Sequence, residues 1–135
     1  MGRAHAQTGT ARESTDVVEP AQLIRIARLY RYGMTDQELY EVTRGVWRVG
    51  PRREGAQIAL SVVDGEVVAA YQIDAWHIAG STRYTTRAAD DVCVAGRWEF
   101  SGTPASEGVW TKYVGRSVAH YFQRGAANPI TYVNV

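Results

Sequence analysis

Two β-branched runs meet at Asp64-Gly65 in QIALSVVDGEVVAAYQIDAW, and no other stretch constrains the fold as strongly. A two-residue hairpin turn needs positive φ at both central positions, which Asp-Gly tolerates and most dipeptides do not. The pattern predicts a strand over about 57–63 paired antiparallel with one over about 66–75. A sheet built from such a hairpin is antiparallel at its centre and needs further strands to bury its faces.

Those strands are sought on either side. QLIRIARLY (22–30) alternates Leu23, Arg25 and Ala27 against Ile24, Ile26 and Arg28, which predicts a first strand. STRYTTR (81–87), RWEFSG (97–102) and the segment after Asn128-Pro129 predict three more. MTDQELYEVTRG carries a capping box: Thr35 offers its hydroxyl to the amide of Glu38, and Glu38 reaches back to the Thr35 amide. Leu39 and Val42 give that segment an apolar stripe, so a helix is predicted over about 36–44, with Gly45 as its C′ residue. Thr103 and Pro104 read as the N-cap and first position of a second helix, which Gly108 weakens and Gly115 stops. SVAHYF suggests a further turn. The sum is an α+β fold: a small mixed, mostly antiparallel β pseudobarrel with two or three short helices.

At 135 residues the chain is about one domain long. Residues 1–20, small and polar and without a hydrophobic period, read as a flexible tail ahead of a single domain over 21–135. No run approaches the roughly 18 apolar residues of a membrane span, and the N-terminal segment lacks the apolar middle of a signal peptide. The expectation is a cytoplasmic protein that does not engage a membrane. Cys93 is the only cysteine and the three histidines are scattered, so no disulfide, no cysteine-based zinc site and no cofactor are expected.

Of the 15 basic residues only Lys112 is a lysine, leaving fourteen arginines. Arginine suits phosphates and stacks on aromatic rings, although a GC-rich genome produces the same bias. The net charge of +1 argues against broad coating of a polyanion and for a local site. TRGVWRVGPRRE (43–54) concentrates the candidates. In one reading Trp47 forms a cleft wall, with Arg44, Arg48, Arg52 and Arg53 contacting phosphates; in the other Trp47 is core and the arginines lie in solvent or pair with Glu41 and Glu54. Trp76 and His77 stand where the hairpin strand ends, a frequent layout for ligand sites. The Asn128 amide either fixes a turn or reads a base edge. Catalytic signatures are absent: no GxSxG, HExxH, P-loop or Rossmann fingerprint occurs. Lys112, His77 and Asp74 are what remains for acid–base chemistry.

TRGVWRV, the hairpin running into IDAWHIAG, then RWEFSG, YVGRSV and NPITYVNV together resemble a bacterial family over residues 22–135. That family carries a tryptophan–arginine segment, a tryptophan after the second hairpin strand, YVGKSV and NPIRYVN. By element order and the tryptophan-lined hairpin it is similar to the PUA-like superfamily, which includes the EVE and ASCH domains. The resemblance implies a pseudobarrel with an open cleft between helices and sheet. EVE-like members accommodate modified nucleobases in an aromatic cleft, PUA members bind RNA, and a few ASCH members hydrolyse acylated nucleosides with a Lys, Thr and acid set. Here Arg116 stands at the family's lysine and Gly108 interrupts the second helix, which bears on ligand preference. The expected function is a module binding nucleic acid or a modified base through Trp47, Arg48, Arg44, Arg53, Trp76, His77 and Asn128. The alternative is a small enzyme on a nucleoside or nucleotide-like substrate, with Lys112 near Thr111 or Thr43 and Glu41 or Glu99 as the acid. A third reading is a protein-interaction partner in a defence or modification system.

Overall fold

The computed structural model describes residues 13–135. Six strands form one mixed sheet in the order β2-β5-β4-β3-β1-β6, curled into a half-barrel, with three α-helices. The strands are β1 (Ala21–Arg25), β2 (Gly45–Trp47), β3 (Ile58–Val63), β4 (Glu66–Ile78), β5 (Trp98–Pro104) and β6 (Ile130–Val133). The helices are α1 (Asp36–Arg44), α2 (Ala89–Val92) and α3 (Glu107–Tyr113), with 3-10 turns at Pro51–Gly55 and Ala119–Tyr121.

The β3–β4 hairpin turns at Asp64-Gly65, whose φ values are 51° and 80°. Gly65 is doubly constrained, since a Cβ there would lie 2.9 Å from that of Ala119. β4 runs three residues past its predicted end and serves two partners. Its first half pairs with β3 and its second with β5, and the β4–β5 register shifts between Ile73 and Ala75. A bulge of this kind bends a strand and sharpens its twist, so a long, bulged β4 accounts for the curl. Where β4 bends, the backbones crowd: a Cβ on Gly102 would collide with the Gln72 carbonyl. One pairing is parallel, β1 with β3, because the chain crosses from β1 through α1 and β2 before returning. The other four are antiparallel.

Both faces of the sheet are covered. Inside the curl, Ile24, Ala59, Val68, Tyr71, Phe100 and Ile130 come from five strands and meet Leu39 and Val42 of α1. On the other face Leu23, Leu60, Val62 and Val67 meet Tyr113 of α3, Val118 and Val17. Burial of apolar surface at about 25 cal/mol per Å² is what holds each layer in place. Val17 belongs to residues 13–20, expected as tail; they lie against the sheet instead, with Val17 N donating to Tyr121 Oη (2.9 Å) and Val18 N to Tyr113 Oη (3.0 Å). Residues 1–12, the rest of that expected tail, lie outside the described residues. Among the described residues no helix is long and apolar enough to cross a membrane.

α1 begins and ends where its capping box and length predict. Thr35 Oγ1 accepts from Glu38 N (3.1 Å) and Thr35 N donates to Glu38 Oε1 (2.9 Å). Four expectations are corrected. β1 stops at Arg25, and Ala27–Leu29 form a turn instead of its continuation. Residues 81–87 form a loop, since the amides and hydroxyls of Thr82, Thr85 and Thr86 and the Tyr84 hydroxyl are taken by two buried carboxylates described below. Thr103 and Pro104 finish β5, paired with Gln72 and Tyr71, so the second helix starts later, capped by Ser106. Gly45 has φ −165°, extended and not left-handed; it is needed because a Cβ would run into Tyr84 Oη and stand 3.0 Å from Glu99 Cβ.

Candidate functional site

β2 and β6 are the two ends of the sheet order, so the half-barrel has an open seam between them. Trp47 ends β2, and Asn128-Pro129 leads into β6. Between them run two adjoining depressions of about 370 and 410 Å³, which share Trp47, Ala127 and Pro129 as walls. Arg48 and Arg97 line the first, Arg25 and Arg28 the second, and neither contains an aspartate or glutamate. Four guanidinium groups line the depressions that share one indole, with no acid among the lining residues, so positive charge is concentrated there in a chain whose net charge is only +1.

These arginines divide into two kinds. Arg25 donates to the carbonyls of Ala126 (2.8 Å) and Asn128 (2.5 Å) and stacks on Phe122 at 5.0 Å, so it holds the far wall in position. Arg97 leans on the Val46 carbonyl (3.4 Å). Arg28 and Arg48 are exposed and have no hydrogen-bond or ion-pair partner among the described residues. Asn128 uses Oδ1 to accept from Ile130 N (2.9 Å), which fixes the turn into β6 and leaves its amide NH2 pointing nowhere else in the described structure. Trp47 is half-buried: its indole N–H donates to the Thr43 carbonyl (2.7 Å), and part of its ring rests on the inner core.

Trp47 is aimed by an anchor at the α1–β2 junction. Glu99, fully buried, accepts from Gly80 N (2.8 Å), Thr82 N (2.8 Å), Tyr84 Oη (3.0 Å) and the Thr82 hydroxyl. Arg44, 3% exposed, donates to Thr82 Oγ1 (2.8 Å), the Phe100 carbonyl (3.1 Å) and the Arg83 carbonyl (2.8 Å), and stacks on Tyr84 at 3.8 Å. Glu41, also fully buried, accepts from the amides and hydroxyls of Thr85 and Thr86 and from Gln37 Nε2. Arg87 closes the junction by donating to the carbonyls of Glu41 (3.0 Å) and Gly45 (2.8 Å). The loop over 80–87 is thus a strap across the helix end from which Trp47 projects.

That strap makes stability pH-dependent. Burial pushes the Glu41 carboxyl upward, but the hydrogen bonds from Thr86, Gln37 and Thr85 outweigh it and hold the group down at about 2, against an ordinary 4.5. Glu99 is lowered too, its burial outweighed by Thr82, Gly80 and Tyr84. A depressed carboxylate contributes stability that is present above its unfolded pKa and lost as pH falls towards its folded one. Urea midpoints are therefore expected to hold from pH 7 to about 4.5 and to fall between there and about pH 2. In Glu41→Gln the midpoint should be lower at pH 7 and the acid decline shallower; an unchanged decline would count against this role.

Of the sequence-predicted ligand residues, the structure brings Trp47, Arg48 and Asn128 together. Arg44 is withdrawn from solvent and cannot meet a phosphate. Arg53 lies over Trp98 at 3.5 Å and pairs with Glu54 (3.2 Å), as the competing reading of that segment has it. Trp76 sits edge-on against Phe100 at 5.4 Å, and His77 is joined to Ser101 (2.9 Å); neither lines the groove. The acid–base candidates are also apart from it. Lys112 is held by Glu19 (2.8 Å), Asp74 accepts from Gln72 (3.3 Å), and Thr43 is occupied by Leu39 and Ser61. Among the described residues no cluster of three or more His, Cys, Asp or Glu side chains could hold a metal. Sequence reasoning missed Arg25, Arg28 and Arg97 as groove residues. Their signal was basic positions beside strand ends, which means little until the sheet order puts those ends at one seam.

No family model matches the sequence, and no curated protein or solved structure matches it. Function is therefore argued from the site itself.

Proposed function

We propose that the chain is a nucleic-acid-binding module that receives a single-stranded segment in the seam groove, with Trp47 as stacking platform. The observation that carries the reading is the acid-free run of Arg25, Arg28, Arg48 and Arg97 on both sides of the exposed part of one indole. Base–aromatic stacking needs only a π-face, and a positive groove tracks the backbone, so the pair binds strands with little sequence preference. Arg28 and Arg48, having no partner among the described residues, would meet phosphates, and the Asn128 amide would meet a base edge or sugar. The resemblance to PUA-like domains, with their RNA and modified-base ligands, points in the same direction. The mixed, curled half-barrel supports this reading at the level of α+β architecture alone.

The test is binding of a labelled single-stranded oligonucleotide across a salt series. Each neutralised phosphate contributes about 0.7 to the slope of log affinity against log salt for single strands. Arg28→Ala and Arg48→Ala should each lower affinity and flatten that slope by roughly this amount. Their unfolding midpoints should stay within about 0.5 kcal/mol of the parent, as for surface changes that break no contact. Unchanged slopes in both variants would refute the placement.

A further inference from the structure

The seam groove continues past Arg28. Leu29, 45% exposed on the turn after β1, lines the depression that holds Arg28 and also a third depression, of about 570 Å³, beside α1. That volume falls within the roughly 300–1,000 Å³ of pockets for small organic ligands. Leu29, Met34, Val42 and Ala88 give it apolar walls. Most of its polar groups are engaged elsewhere. Glu38 pairs with Arg31 (2.6 Å) and accepts from the Thr35 amide, and Thr86 gives its amide and hydroxyl to Glu41. Arg87 donates through Nη1 to the Glu41 and Gly45 carbonyls. The exception is Asp91, exposed on α2, whose carboxylate has no hydrogen bond or ion pair among the described residues.

A carboxylate repels phosphate, so a strand that passes Asp91 must turn a base towards it. Both carboxylate oxygens accept and neither donates, so the best counterpart presents two adjacent N–H donors. Guanine does so on its Watson–Crick edge, at N1 and the N2 amino group. Adenine and cytosine place a ring-nitrogen acceptor beside their amino group, and uracil flanks N3–H with two carbonyls. Each of those edges would bring a lone pair against the carboxylate. Unstacked bases of single strands are read in this manner, by hydrogen bonds to the Watson–Crick edge with apolar side chains against the ring faces. We infer that the third depression is a guanine-reading pocket, in which Asp91 accepts from N1 and N2 of a base carried past Leu29 from the Trp47 platform. The inference rests on the single-strand reading of the seam and adds a base preference to an otherwise sequence-tolerant site.

The deciding experiment uses the whole chain and three short oligothymidylates that differ at a single position, which carries guanine, hypoxanthine (guanine without its 2-amino group) or adenine. Fluorescence anisotropy gives the affinities, and ¹⁵N spectra locate the bound strand. The guanine strand should bind tightest, the adenine strand more weakly by about fivefold or more, and the hypoxanthine strand between them. Amides over 88–92 should shift with the guanine strand and stay still with the adenine strand. In Asp91→Asn the preference for guanine should disappear, while the adenine strand binds as well as before or better, a negative charge having been lost. A guanine preference that survives in Asp91→Asn would overturn the inference. So would equal affinities of the unaltered chain for all three strands; with shifts at Trp47 and Arg48, that result leaves the seam reading standing. No saturable binding of any strand would remove the seam reading and the pocket with it.

Discussion

Arg44→Ala is expected to destabilise the chain by about 3–5 kcal/mol, the cost of removing one partner from a buried charge pair, here Arg44 Nη1 with a Glu99 carboxylate oxygen at 4.0 Å. The sequence offers Arg44 as a phosphate contact, one of four arginines around Trp47, and the structure reverses that role. Its guanidinium donates to Thr82, Phe100 and Arg83 and lies across the Tyr84 ring. Thr82 in turn donates to Glu99, so removal of Arg44 leaves a fully buried carboxylate without its cation and three acceptors without a donor. Arg44→Lys should recover little, because an ammonium cannot span acceptors held by a planar fork. Urea unfolding of both variants measures this directly. A variant that unfolds like its parent but binds oligonucleotide weakly would restore the phosphate role.

Trp47→Ala carries the second large effect, on binding and stability together. Stacking of one base on an aromatic side chain is worth about 1–3 kcal/mol, so oligonucleotide affinity should fall roughly five- to 150-fold. The ring is half-buried and its N–H is bound to the Thr43 carbonyl, so stability should fall as well, by about 2 kcal/mol and less than a fully enclosed tryptophan would cost. Trp47→Phe separates the two. It keeps a stacking face, loses the hydrogen bond at about 1 kcal/mol, and should retain most of the binding. Full affinity in Trp47→Ala would remove the indole from the site.

What could be read in the sequence was local. Asp64-Gly65 fixes a hairpin because the φ requirement falls on two adjacent residues, and Thr35 with Glu38 starts α1 because the capping box spans four. Trp47, Arg48 and Asn128 were recognisable as candidates by chemistry alone. What brings them together is the order of six strands, in particular the parallel return of β3 beside β1 and the position of β2 and β6 at opposite ends. No short-range pattern encodes that order, so Arg25, Arg28 and Arg97 could not be assigned to the same groove. The errors have the same origin. STRYTTR looks like a strand by composition, but Glu41 and Glu99, distant in sequence, claim its threonine hydroxyls and amides and the Tyr84 hydroxyl. Thr103-Pro104 looks like a helix start, but β4 is long enough to pair with both. Arg44 looks like its arginine neighbours until burial distinguishes it.

We propose that the seam between β2 and β6 binds single-stranded nucleic acid. It is tested most directly by titrating the ¹⁵N-labelled chain with a short single-stranded oligonucleotide at low salt and mapping the perturbed amides and indoles. Shifts are expected at the Trp47 indole, at Arg28 and Arg48, and at 126–130, fading as salt is raised, with the Trp76 indole and the 80–87 strap unmoved. No saturable shift, or shifts gathered around Trp76 and His77 with the seam silent, would contradict it.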